Sequence, residues 1–128
     1  MLKNVVSKLF FLTVAATLVS CSKSSTTSGP VGALMATYTA LQNQDSIGFI
    51  QSLTLERQNE YAMYPERITK LLQDWKGDSA HVQVLSIKQN DTFATVLYNL
   101  KVTGKTPRSR DSITADLYNR YGSWKHGF

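Results

Sequence analysis

The sequence predicts an α+β domain in which N-terminal helices pack on one face of an antiparallel sheet. Three observations carry the prediction. Apolar residues recur at helical spacing from Val31 to Trp75. From His81 onward they alternate, and Phe93–Val102 is the strongest alternating run. Short turn-forming segments, Gln89-Asn90-Asp91 and Asn119-Arg120-Tyr121-Gly122, separate the alternating runs, as in a meander of hairpins.

The first helix opens at Gly29-Pro30, since proline fits the first helical turn. Val31, Leu34, Tyr38 and Leu41 then fall on one face, with Met35 beside them. Asn43-Gln44-Asp45 breaks the pattern, and Asp45 or Ser46 can cap a short second helix carrying Ile47, Ile50 and Leu53. Gly48 weakens that helix. Thr54–Tyr64 reads equally as a solvated helical turn or as a loop. Pro65 opens a further helix with Ile68, Leu71, Leu72 and Trp75 on one face, and Gly77 ends it.

In the strand half, His81–Val84 and Leu85–Ile87 alternate in opposite phase, which places a bulge near Val84–Leu85. In Phe93–Val102 the inward set is Ala94, Val96, Tyr98, Leu100 and Val102. Gly104–Arg110 reads as a basic loop, Ser112–Tyr118 as a strand with Ile113, Ala115 and Leu117 inward, and Trp124–Phe128 as a terminal strand. Tyr38, Trp75, Val96, Tyr98 and Trp124 are therefore expected in one core between helices and sheet.

The chain has 128 residues and a formal charge of +5, of which Lys3 and Lys8 carry two. Before Cys21 lie those two lysines and an apolar run through Leu9–Leu12 to Val19, a basic start and apolar centre that read as a secretory leader. The run is shorter than the ~20 apolar residues a spanning helix needs. Leu18-Val19-Ser20-Cys21 resembles the lipobox of bacterial lipoproteins. That resemblance implies cleavage after Ser20 and a diacylglyceryl thioether on Cys21, the only cysteine. Residues 1–20 would then be a cleaved signal peptide. Residues 21–29 would be the lipidated Cys and a flexible Ser/Thr-rich tether, and residues 30–128 a single domain. The expected address is the bacterial cell envelope. Ser22 follows the Cys where an Asp would suggest inner-membrane retention, which leans toward the outer membrane; the leaflet stays open.

The domain resembles a second family. Tyr38-Thr39-Ala40-Leu41 before Asn43-Gln44-Asp45, Asp91-Thr92-Phe93-Ala94-Thr95-Val96 entering a long strand, and Asp111-Ser112 leading into Tyr121-Gly122-Ser123-Trp124-Lys125 together carry the resemblance. They are similar to small bacterial lipoproteins of unknown function with a nuclear transport factor 2-like, cystatin-like domain. Ser123 stands where the usual ending has a lysine. The resemblance implies a curved sheet wrapped around helices into a cone. Members of that superfamily use the cavity for catalysis, for ligand binding, or only as a core, and fold alone does not choose.

No nucleophile elbow, phosphate loop or zinc spacing occurs. No catalytic residue, metal ligand or cofactor is assigned, apart from covalent lipid on Cys21. Candidate cavity-lining residues are Tyr38, Trp75, Tyr98, Trp124 and His126. His81 is expected at the rim, and Asp116, alternating with Ala115 and Leu117, should point away from the cavity. Asp74 and Asp78 around Gly77 read as a capped turn, and Glu56 and Glu60 as a solvated helix face. Lys101, Lys105, Arg108 and Arg110 form the one charge concentration. It is either a solvated hairpin tip or a contact for anionic lipid or an acidic partner. No aromatic platform accompanies it, so nucleic acid is not an expected partner. The functional expectation is a non-catalytic binding or interaction module on a membrane anchor, partnered by an envelope protein. The alternative is a carrier or sensor of a small amphipathic ligand in the cone, and a hydrolase or isomerase comes last.

Overall fold

The computed structural model describes residues 29–128. The leader, the Leu18–Cys21 box and the Ser22–Ser28 segment lie outside the described residues. Four helices precede four strands: α1 (Gly29–Gln42), α2 (Ser46–Gln51), α3 (Leu55–Met63), α4 (Pro65–Trp75), β1 (Asp78–Gln89), β2 (Phe93–Gly104), β3 (Arg108–Arg120) and β4 (Ser123–His126). The strands form one curved antiparallel sheet in the order β1-β2-β3-β4, and the helices pack on its concave face.

Helix α1 buries Leu34, Thr37, Tyr38 and Leu41 against the sheet, the i, i+3, i+4, i+7 spacing of one helix face. Asp45 caps α2 by accepting the Gly48 N–H at 2.9 Å. Gly48 is what lets the cap sit there, because a Cβ at that position would lie 2.4 Å from Asp45 Oδ2. Helix α2 turns Phe49 into the core, fully buried, and leaves Ile47 exposed. Of the expected Ile47, Ile50, Leu53 face, Leu53 is fully buried and Ile50 packs on the core, and Ile47 alone is corrected. In a six-residue helix the tertiary contact, here Phe49 on the Tyr61 and Phe128 rings, decides the face. The ambiguous Thr54–Tyr64 stretch is helix α3, capped by the Thr54 hydroxyl on Arg57 N–H.

Strand β1 carries its bulge between Val84 and Ser86, as the phase switch predicts. Asn90 closes the first hairpin by accepting the Thr92 and Phe93 N–H groups through its side chain. The β3–β4 hairpin turns on Tyr121 and Gly122, both with φ near +60 to +80° (58° and 83°), the geometry of a two-residue type I′ turn. Strand β4 ends at His126, two residues short of the expected strand. There the Ser52–Thr54 linker takes over, with His126 N–H donating to the Ser52 carbonyl at 2.8 Å and Thr54 N–H to the His126 carbonyl at 3.0 Å.

One expectation is corrected in the sheet. The expected Gly104–Arg110 loop shrinks to Lys105-Thr106-Pro107, since β2 runs to Gly104 and β3 begins at Arg108 and pairs Arg108, Ser109 and Arg110 with Val102, Lys101 and Leu100. A bulge then places Asp111 and Ser112 opposite Asn99 alone, with Ser112 at φ 55° and its N–H donating to Asn99 Oδ1. The core is continuous from α1 to β3 and includes Tyr38, Trp75, Val96 and Tyr98. Trp124 is only half-buried at its margin, which corrects its place among the central core aromatics.

Candidate functional site

The bulge at Asp111–Ser112 decides which side chains reach the concave face. Beyond it, alternation places Ile113, Ala115 and Leu117 inward. The extra residue shifts the phase, so Arg110 and Arg108 stand opposite the inward Leu100 and Val102. Without the bulge both arginines would face outward.

Arg108 is fully engaged. Its Nη1 lies 2.9 Å from Asp78 Oδ2, and its guanidinium stacks 4.8 Å from the centre of the Trp75 ring. The Asp78 side chain has no solvent exposure and also accepts the Thr106 N–H at 2.8 Å. The Thr106 N–H, then Arg108, hold its carboxyl below the usual range. Asp78 therefore locks the β2–β3 hairpin over the end of α4. Asp74 is elsewhere, bridging Lys70 along α4, so the two aspartates around Gly77 share no ligand site. Glu56 pairs with Arg120, which lowers its pKa, and Glu60 pairs with Arg57.

Two residues further along, Arg110 lines a cleft of about 260 Å³ with Tyr38, Tyr98, Ile113, His126 and Phe128. The Tyr38 and Tyr98 hydroxyls are 2.7 Å apart and buried. Burial raises both phenol pKa values, so both are neutral O–H groups, and the nearby Arg110 charge opposes the shift. His126 is 4% exposed. Its Nδ1 lies 3.2 Å from Thr37 Oγ1, Thr37 Oγ1 is 2.9 Å from Ser52 Oγ, and Ser52 Oγ donates to the Phe49 carbonyl at 2.7 Å. The Thr37 hydroxyl also reaches the Ala33 carbonyl at 3.2 Å, so with Ser52 donating to Phe49 its one hydrogen is divided between Ala33 and Ser52, and His126 Nδ1–H donates to Thr37. Burial first, then the Arg57 charge, push the His126 pKa down to about 4, so the ring is neutral at pH 7.

Of the five expected cavity residues the fold thus brings three together, Tyr38, Tyr98 and His126. Trp75 lines a different cleft, with Lys105, Thr106 and Arg108, because the sheet curves away between the two. Trp124 lines neither. Sequence reasoning missed Arg110 and Phe128 as lining residues. Phe128 was legible from its parity with His126; Arg110 was not, because the bulge inverts its parity. His81 is exposed, with Nε2 3.0 Å from Thr103 Oγ1. Asp116 contributes to the cleft lining, but its carboxylate accepts from the Thr95 hydroxyl on the outer face and hydrogen-bonds neither Tyr98 nor His126. No group of three or more His, Cys, Asp or Glu that could hold a metal occurs among the described residues.

Two solved structures are similar to this arrangement. A SEC-C motif containing protein from Rhodopseudomonas palustris superposes with a TM-score of 0.62 at 14% identity, covering 77% of this chain and 75% of that one. A protein of unknown function with a cystatin-like fold from Nostoc punctiforme gives a TM-score of 0.57 at 12% identity, over 73% of this chain and 80% of that one. The fold is cystatin-like. No family model matches the sequence, and no curated protein matches it. At these identities the likeness is one of fold, and the cleft residues are read from this chain alone.

Proposed function

We propose that the protein is a lipid-anchored component of the bacterial envelope whose cystatin-like domain works by binding, without turnover. One observation carries the second half. A general base and its acid must both reach the reacting atoms. Here His126 bonds only Thr37, through Nδ1, and the Asp116 carboxylate bonds Thr95 on the outer face, so among the described residues no carboxyl group hydrogen-bonds the imidazole as its acid–base partner.

The anchor rests on the lipobox resemblance at Leu18–Cys21. Seven residues lie between Cys21 and Gly29, where α1 begins, and the eight Cα-to-Cα steps reach at most ~29 Å. A thioether on Cys21 would keep the domain within that distance of the bilayer. It would then meet a neighbouring envelope protein or ligand at high effective concentration. Ser22 after the modified cysteine favours the outer membrane. No helix among the described residues is long and apolar enough to cross a membrane. Cells fed an alkyne fatty acid should label the wild-type chain and leave Cys21→Ala unlabelled and uncleaved. Label on the alanine variant would refute the anchor.

The carrier reading has its own support in the Arg110 cleft, which is open and mixed in character.

A further inference from the structure

Arg110 is a cation turned toward the concave face with nothing there to neutralise it. Its neighbour Arg108 has the same inward aim and meets both a carboxylate and an aromatic face. Arg110 has no ion pair or hydrogen bond among the described residues. Asp111, next in the strand, sits in the bulge opposite Asn99 and forms no ion pair with Arg110, and Asp116, which also contributes to the cleft lining, has its carboxylate bonded by Thr95 on the outer face.

The tyrosine pair beside it also has a hydrogen to spare. Tyr38 and Tyr98 hydroxyls bond each other and no other described group. One O–H is used in that bond; the other has no acceptor among the described residues and can donate to an incoming anion in the cleft. The remaining lining is mixed: Ile113, Ala115 and the ring of Phe128, which sits edge-on to His126 at 5.2 Å, give it an apolar side, and Thr114, Asp116 and His126 are its polar members.

We propose that this cleft binds a small carboxylate with an apolar body, its carboxylate held by the Arg110 guanidinium and the Tyr38–Tyr98 hydroxyl pair. This rests on reading the domain as a binding module and names the ligand class that module takes. The planar guanidinium fork matches the two carboxylate oxygens. The apolar body lies against Ile113 and Phe128 and gives the cleft a preference over bare anions. The volume, about 260 Å³, is below the ~300–1,000 Å³ of drug-sized sites, so the ligand is small. Arg110 stands near the stretch of β3 that β4 leaves unpaired, where an inward charge also discourages sheet-to-sheet pairing. That role requires no ligand, and the experiment separates the two.

The probe is 4-fluorobenzoate, titrated into the full chain in mild detergent and followed by fluorine NMR. Saturable binding is expected, displaced by benzoate and not by benzyl alcohol or inorganic phosphate. Arg110→Ala should weaken it at least tenfold, Arg110→Lys should lose part, and Lys101→Ala, on the outer face of the same hairpin, should bind as wild type. Arg110 is exposed, so unchanged thermal midpoints are expected for its variants. Absence of saturable binding, affinity indifferent to Arg110→Ala, or equal displacement by phosphate would each overturn the proposal while leaving the binding module untouched. Conversion of the probe to a new fluorine species would instead overturn the reading without turnover.

Discussion

His126 shows how a single proton reports the fold. In the folded chain its pKa lies at about 4, whereas a free histidine titrates at 6.5. Between those values the unfolded chain binds a proton that the folded chain does not, so stability rises with pH across the window. His126 therefore contributes nothing adverse above pH 6.5 and costs stability progressively as pH falls, levelling off below about pH 4. Each pKa unit is about 1.4 kcal/mol, so the full effect is about 3 kcal/mol. The urea midpoint of the wild type should fall between pH 6.5 and 4, and that of His126→Asn should not. The Asp78 contribution is lost only below the ordinary carboxylate range and leaves this window clear. At this scale much of the site was legible. Tyr38, Tyr98 and His126 lie on apolar faces of their elements and do meet. Trp75 and Trp124 share that property and do not line the cleft, because an apolar face fixes direction and not position along a curved sheet.

At the scale of the element, the two bulges do most of the shaping. The one in β1 leaves a phase switch in an apolar run and can be read from sequence. The one in β3 sits in Arg108-Ser109-Arg110-Asp111-Ser112, where no apolar residue marks the phase, so the strand reads as a loop and its arginines as solvated. Helix α3 was unreadable for a related reason: it buries no residue fully, and only the Thr54 cap announces it. Between β1 and β2 the sheet end depends on Gly104, at φ +123°. A Cβ there would lie 2.3 Å from the Gly77 carbonyl oxygen and 3.0 Å from Asp78 Cα. Both contacts are backbone, so neither can swing aside. Gly104→Ala should cost more than ~1 kcal/mol in chemical denaturation. It should also disturb the Asp78–Arg108 bridge, seen as a change at the Trp75 indole in NMR spectra. An alanine variant with an unaltered midpoint would mean that the hairpin end tolerates the shift.

The whole molecule is a thin layer of helices on one sheet, so its stability concentrates in few large side chains. Trp75 is 7% exposed, packs on Tyr38 at 5.8 Å between ring centres, and receives the Arg108 guanidinium. Trp75→Ala should cost ~3–5 kcal/mol, a large part of the ~5–15 kcal/mol typical of such domains. Trp124→Ala should cost clearly less, since Trp124 is half-buried at the margin. Equal losses would contradict this account of the core. The same helix-on-sheet layering leaves an open recess at the Tyr38–Tyr98 pair, with Arg110 at its side. The central claim is that this recess is where the domain binds. Native mass spectrometry of the full chain, purified gently from cells and compared with Arg110→Ala, tests it most directly. The account predicts a non-covalent adduct with the mass of a small carboxylic acid on the wild type and its loss from the variant. Identical spectra for the two proteins would contradict it.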